Sequence, residues 1–139
     1  MTAAAQSDAA SFPVGEGDRP WTESEIGQVR RRLADEADEL RTEIGKAESD
    51  IADRLGDSVS DAGDDQADVG AKTYEREHEL SLAYNARDLL AQSEHALGRI
   101  AGGSYGSCES CGEPIGKARL KAFPRATQCV NCKQREERH

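Results

Sequence analysis

Residues 22–56, TESEIGQVRRRLADEADELRTEIGKAESDIADRLG, carry the pattern from which the architecture follows. The stretch opens after Pro20 with Thr22-Glu23-Ser24-Glu25, a T-x-x-E capping box in which hydroxyl and carboxylate satisfy amides that a helix start leaves unpaired. Beyond it, Ile26, Val29, Leu33, Ala37, Leu40, Ile44, Ala47, Ile51 and Leu55 recur every three or four residues, with Arg, Asp and Glu on the other faces. This spacing predicts one amphipathic helix from about residue 22 to about residue 56, roughly 50 Å long at 1.5 Å per residue.

On its C-terminal side, GDSVSDAGDDQADVG (residues 56–70) interrupts the pattern with three Gly and five Asp. Apolar residues resume at Leu82, Ala86, Leu89, Ala96 and Ile100, flanked by Leu90 and Leu97, and stop at Gly102-Gly103, a C-cap signal. Two helices joined in this way bury each other's stripe most economically as an antiparallel coiled-coil hairpin, here over residues 21–103 with an acidic tip near 57–70. The small residues Ala37, Ala47, Ala86, Ser93 and Ala96 imply close helix approach and little buried area. On the N-terminal side, MTAAAQSDAASFPVGEGDRP (residues 1–20) has no periodicity and reads as a disordered tail, with Phe12 and Trp21 able to staple back on a helix. The fold class is therefore mostly α: a long helical hairpin, then a small module over 104–139 that ends in a short helix.

That module holds Cys108-Glu109-Ser110-Cys111 and Cys129-Val130-Asn131-Cys132, a C-x2-C-x17-C-x2-C spacing within the range of four-cysteine zinc sites. Two residues between cysteines let both sulfurs reach one ion, and two such knuckles complete a tetrahedron. With sulfur at all four positions no site is left for water or substrate, so one structural Zn²⁺ is expected and no enzyme. Gly112, directly after the first knuckle, suits the positive φ that turns amides toward thiolate. Lys117, Arg119, Lys121, Arg125 and Lys133 offset the net −2 of a zinc tetrathiolate; Arg119, Lys121, Arg125 and Lys133 are also candidates for contact with phosphate or a partner protein. A redox reading of the C-x-x-C pairs is weak without a βαβ context.

Charge and composition narrow the class further. The chain of 139 residues carries a net charge of −9, with aromatic residues at only 4%. Residues 105–139 hold seven Lys/Arg against four Asp/Glu, leaving eleven against 23 in the rest, so the acidic body would be repelled by DNA phosphate. Neither a signal peptide nor a membrane span is apparent, which points to the cytoplasm, where paired cysteines hold metal rather than disulfides. His78, His95 and His139 lie in polar contexts and read as exposed and unpartnered.

GSYGSCESCGEPIGKARLKAFPRATQCVNCK, residues 103–133, resembles the zinc finger of the DksA/TraR family of bacterial transcription regulators, through Tyr105-Gly106, Ile115, Arg119-Leu120, Pro124 and the lysine after Cys132. With the acidic-tipped hairpin, the resemblance covers roughly residues 22–135. It implies a protein that inserts its coiled coil into the secondary channel of bacterial RNA polymerase and changes the lifetime of promoter complexes. The D-x-x-D-x-A tip motif of DksA-like members falls on Asp65, Asp68 and Gly70, with glycine in place of the final alanine; Asp57, Asp61 and Asp64 read as solvated. Proteobacterial members also bind guanosine tetraphosphate, the stringent-response alarmone, through basic residues on the second helix. This chain has Asn85 and Gln92 in the corresponding places and retains Lys133, which implies weak or no alarmone synergy. A monomer is expected, because the hairpin satisfies its own stripe. Two other readings stand beside this one: a zinc ribbon that binds nucleic acid through its basic finger, and a structural adaptor whose tip aspartates do nothing.

Overall fold

The computed structural model describes residues 8–60 and 66–138, with side chains described over 9–53 and 70–138. Two long helices, α1 (Glu23–Ser60) and α2 (Gln66–Gly102), precede two short ones, α3 (Lys117–Ala122) and α4 (Val130–Glu137). No strand is formed among the described residues; a single antiparallel bridge, Ser107 with Pro114, closes the first cysteine knuckle.

The capping box forms as read: the Thr22 amide donates to Glu25 Oε1 at 3.0 Å and the Glu25 amide donates to Thr22 Oγ1 at 3.1 Å. At the end of α2, Gly103 takes φ +83°, and the amides of Ser104 and Gly103 donate to the carbonyls of Arg99 and Ile100. This is the paired i−5 and i−3 bonding of a Schellman cap, which a side chain with a β-carbon would strain.

The chain divides into two compact units, one of Met1–Glu36 with Gln92–His139 and one of Ala37–Ala91. In the first, Ile26, Val29 and Leu33 of α1 share a core with Ala96 and Ile100 of α2; in the second, Ala37 and Leu40 are buried along with Ala83 and Ala86, and Arg87 pairs with Glu48. In each unit α1 and α2 thus contribute to burial together, and in the second the Arg87–Glu48 ion pair joins them, as expected of a helical hairpin. The stripe on α2 differs from expectation at one place. Leu82 is 47% exposed, and its neighbour Ala83 faces the partner helix at 4%. The buried positions Ala83, Ala86, Ser93, Ala96 and Ile100 carry the three-and-four spacing through residue 83 instead of 82.

Two expectations need correction. The acidic interruption spans less than residues 57–70, since α1 runs through Gly56 to Ser60 and α2 already begins at Gln66. An isolated glycine costs a helix only about 1 kcal/mol relative to alanine, too little to stop one that is propagating. Asp61, Asp64 and Asp65 lie outside the described residues; Asp57 and Asp68 fall on helical backbone, with side chains outside the described set. Gly70 is exposed inside α2, where an added β-carbon meets nothing within 4 Å.

The second correction concerns the tail. Residues 8–20 are placed, starting with a 3-10 turn over Asp8–Ser11, and Ala9, Phe12 and Trp21 join the core of the first unit. The stapling expected of Phe12 and Trp21 is thus the dominant feature of the segment. Burying an indole and a phenyl ring outweighs the ordering cost of a short connection.

Candidate metal centre and its surroundings

The first knuckle is a tight hairpin. The Cys108 amide donates to the Glu113 carbonyl at 2.8 Å, the Gly112 amide to the Cys108 carbonyl at 2.9 Å, and Gly112 takes φ +81° as its position required. The second knuckle begins at the helix: Cys129 is the N-cap of α4, and Cys132 lies in its first turn. Between them α3 buries Leu120 completely. The segment thereby brings Cys108, Cys111, Cys129 and Cys132 together, with all four sulfurs within 4.8 Å of one another and Cys111 Sγ 3.8 Å from Cys129 Sγ.

A zinc–sulfur bond of about 2.3 Å puts the corners of a regular tetrahedron about 3.8 Å apart, so the donor set has the size of a zinc site. Its electrostatics agree. Burial pushes the Cys108 thiol up, but amides of Cys129, Cys111 and Ser110 directed at its sulfur outweigh burial and hold it at about 6. The Cys132 thiol is pushed up to about 12, first by its contact with the Cys129 thiol and then by burial. One thiolate forms readily while its neighbour resists, as expected where like charges crowd; a divalent cation at the centre removes that conflict. Cys108 and Cys132 are both buried in the shared core.

The basic residues have mostly internal partners. Lys117 Nζ and Lys121 Nζ reach Glu25 Oε1 and Oε2 at 2.7 and 2.5 Å. With these two lysines and the Thr22 amide around it, the Glu25 carboxyl is held at about 2. Arg119 Nε donates to the Gln128 carbonyl at 3.1 Å, with its guanidinium over Phe123; Arg125 lies 3.6 Å from Glu36 Oε2 and 3.4 Å from Ser93 Oγ. Lys133 is exposed on α4. Of the four candidate contact residues, Arg119, Lys121 and Arg125 therefore already bind the protein's own groups.

Several residues that position the finger were not singled out by the sequence. Arg99, in the last turn of α2, donates to the carbonyls of Ser104 and Ser107 and lies 3.5 Å from Glu109 Oε2. His95, read as unpartnered, places Nε2 2.5 Å from the same carboxylate oxygen. Glu25 was legible as a cap but not as the partner of two lysines 92 and 96 residues away. Tyr105 and Pro124, noted as motif residues, owe their pairing to packing: the buried phenol donates to the Pro124 carbonyl at 2.9 Å.

Comparison with known proteins adds the following. Residues 103–138 match the model of the prokaryotic dksA/traR C4-type zinc finger. The chain is 45% identical over 74 residues to the RNA polymerase-binding transcription factor DksA of Caulobacter vibrioides; the match covers 53% of this chain and 52% of that protein, so it spans about half the length of this relative. Against the DksA of Escherichia coli identity is 30% over 117 residues, covering 84% of this chain and 74% of that protein. The structure of transcription factor DksA2 from Pseudomonas aeruginosa superposes with a TM-score of 0.68 at 32% identity, covering 84% of this chain and 85% of that one. Together with the sulfur geometry, these likenesses make the centre a structural site for one zinc ion.

Proposed function

Because the chain belongs to the DksA/TraR family of C4 zinc-finger proteins, we propose that it is a non-catalytic transcription regulator whose partner is bacterial RNA polymerase. The observation that carries this reading is the match, across hairpin and finger together, to relatives named RNA polymerase-binding transcription factors. In this proposal the hairpin enters the secondary channel and presents Asp65 and Asp68 to basic groups or the Mg²⁺ environment of the active centre. Gly70, next to them, lets the first turns of α2 fray more easily than alanine would.

The chemistry of the finger supports a protein partner over DNA. Arg119, Lys121 and Arg125 already bond to the protein's own carbonyl, carboxylate and hydroxyl groups, and the body is strongly acidic, so sequence-specific duplex binding is not expected. Lys133 is the basic contact we assign to polymerase or phosphate. Asn85 and Gln92 offer no charge to a polyphosphate, so guanosine tetraphosphate adds little to the protein's effect in a purified transcription reaction. We assign the protein to the cytoplasm as a monomer; among the described residues no helix is long and apolar enough to cross a membrane.

Equilibrium binding of the zinc-loaded protein to RNA polymerase and to a DNA duplex, at matched salt, tests the proposal. Saturable binding to polymerase with none to duplex is expected. Duplex binding that weakens steeply with salt, without polymerase binding, would instead support the nucleic-acid reading.

A further inference from the structure

Three of the contacts between the segment ahead of α1 and the finger lie around the first cysteine knuckle. The Pro13 carbonyl lies against Gly106, so that a β-carbon built on Gly106 would stand 3.1 Å from its oxygen. Gly15 lies against Gly116, its own added β-carbon 3.4 Å from the Gly116 Cα. Gly106 and Gly116 both have positive φ, at +103° and +104°, and flank the knuckle on either side of the Ser107–Pro114 bridge. The third contact is a hydrogen bond across 99 residues: Asp18 Oδ2 accepts from the Lys117 amide at 3.0 Å while also accepting from the Gly15 amide at 3.0 Å.

Lys117 is the first residue of α3, and Gly116 at the N-cap has no side chain to satisfy that turn. Asp18 supplies from a distant segment an acceptor for the Lys117 amide, one of the donors that a helix start leaves unpaired. The opposite end of α3 is held similarly, by Arg32 Nη1 donating to the Lys121 carbonyl at 2.8 Å. Trp21 fixes the segment itself, with Nε1 donating to the Pro13 carbonyl at 3.2 Å and the Lys117 ammonium 5.2 Å from its ring. A six-residue helix has no stability of its own in water, and α3 is the element that connects the two cysteine pairs.

We infer that residues 12–21 form a strap that governs how fast the finger gives up its metal, with Asp18 as the positioning residue that closes it. Loss of zinc requires the two knuckles to separate, and their separation requires α3 to unwind or tilt. The strap opposes both by capping α3 and lying across the base of the first knuckle. It acts on the rate of local opening and leaves the four sulfur donors unchanged.

The test is the rate of zinc transfer from the full-length, zinc-loaded protein to a chromogenic chelator in excess. Asp18→Ala is expected to release zinc roughly fivefold faster, the equivalent of a lost N-cap, whereas Asp18→Asn keeps an acceptor oxygen and stays within about twofold of wild type. Amide exchange over residues 117–122 should accelerate in the alanine variant alone. Should Asp18→Ala fail to fold, Trp21→Phe, which keeps a ring in the core and removes the hydrogen bond to the Pro13 carbonyl, loosens the same strap and should also speed release. Release at the wild-type rate in Asp18→Ala, or in Trp21→Phe where it replaces that variant, overturns the inference, as does equal acceleration in Asp18→Ala and Asp18→Asn.

Discussion

Replacing Trp21 by alanine is the sharpest test of the placement of the segment ahead of α1 in the core. The indole is 2% exposed, meets the Tyr105 ring at 6.4 Å between centroids with a 57° tilt, and donates its N–H to the Pro13 carbonyl. Truncating a buried aromatic to alanine costs about 3–5 kcal/mol. A short connection collapses into the vacated space more easily than a helix does, which places the expected loss near the lower limit, about 3 kcal/mol. Trp21→Phe keeps a ring in the site and loses the hydrogen bond and part of the contact area, for about 1–2 kcal/mol. Amide exchange of the zinc-loaded protein reads this directly at Tyr105 and Leu120, whose N–H groups donate to the carbonyls of Arg99 and Gly116. About 3 kcal/mol corresponds to roughly two orders of magnitude in protection at those amides. A change below about 0.5 kcal/mol in Trp21→Ala would refute the reasoning, since only a surface indole is removed so cheaply.

Three further outcomes follow from the same contacts. Glu25, with its folded pKa lowered to about 2 from 4.5, contributes stability fully above pH 4.5 and loses it as pH falls toward 2; the gap in urea stability between wild type and Glu25→Gln should narrow over that window, and a gap that widens on acidification contradicts the pairing. Because Cys108 and Cys132 share a core with Trp21 and Tyr105, removing zinc with a chelator should abolish the near-ultraviolet dichroism of these rings, and metal analysis of the untreated protein should find one zinc per chain. Gly70→Ala adds a β-carbon into open space on a helix, so it should stabilise that turn by up to about 1 kcal/mol, visible as slower amide exchange over residues 70–74.

The parts of the fold legible in the sequence are those set by local rules. The T-x-x-E cap, the 3-4 stripe of α1 as far as Ile51 (the side chain of Leu55 lies outside the described residues), the glycine stop after α2 and the cysteine spacing each depend on neighbours within a turn or a knuckle, and each forms as read. Leu82 against Ala83 was not legible, because hydropathy ranks leucine first, whereas the fold buries the alanine and leaves the neighbouring leucine half exposed. The end of α1 was missed for a related reason: a Gly-Asp-Ser composition signals weak helix propensity, and propensity of this size is overridden by a helix already under way. At the finger, the metal ligands were legible because four sulfurs for one ion is a chemical requirement. The roles of Asp18, Glu25, His95 and Arg99 were not, since their partners lie between 5 and 99 residues away and no local pattern records them. The same applies to the basic side chains. Sequence places Arg119, Lys121 and Arg125 on a cationic finger; only the fold reveals that a carbonyl, two carboxylates and a serine hydroxyl already occupy them.

The central proposal concerns the tip, and the most direct measurement is the lifetime of promoter complexes formed by RNA polymerase with wild-type protein and with the double variant Asp65→Asn/Asp68→Asn. The account predicts that both bind polymerase with similar affinity, that wild type changes the lifetime, and that the double variant leaves it as it is without the protein. A double variant that binds equally and alters the lifetime as wild type does would contradict the role assigned to the two carboxylates.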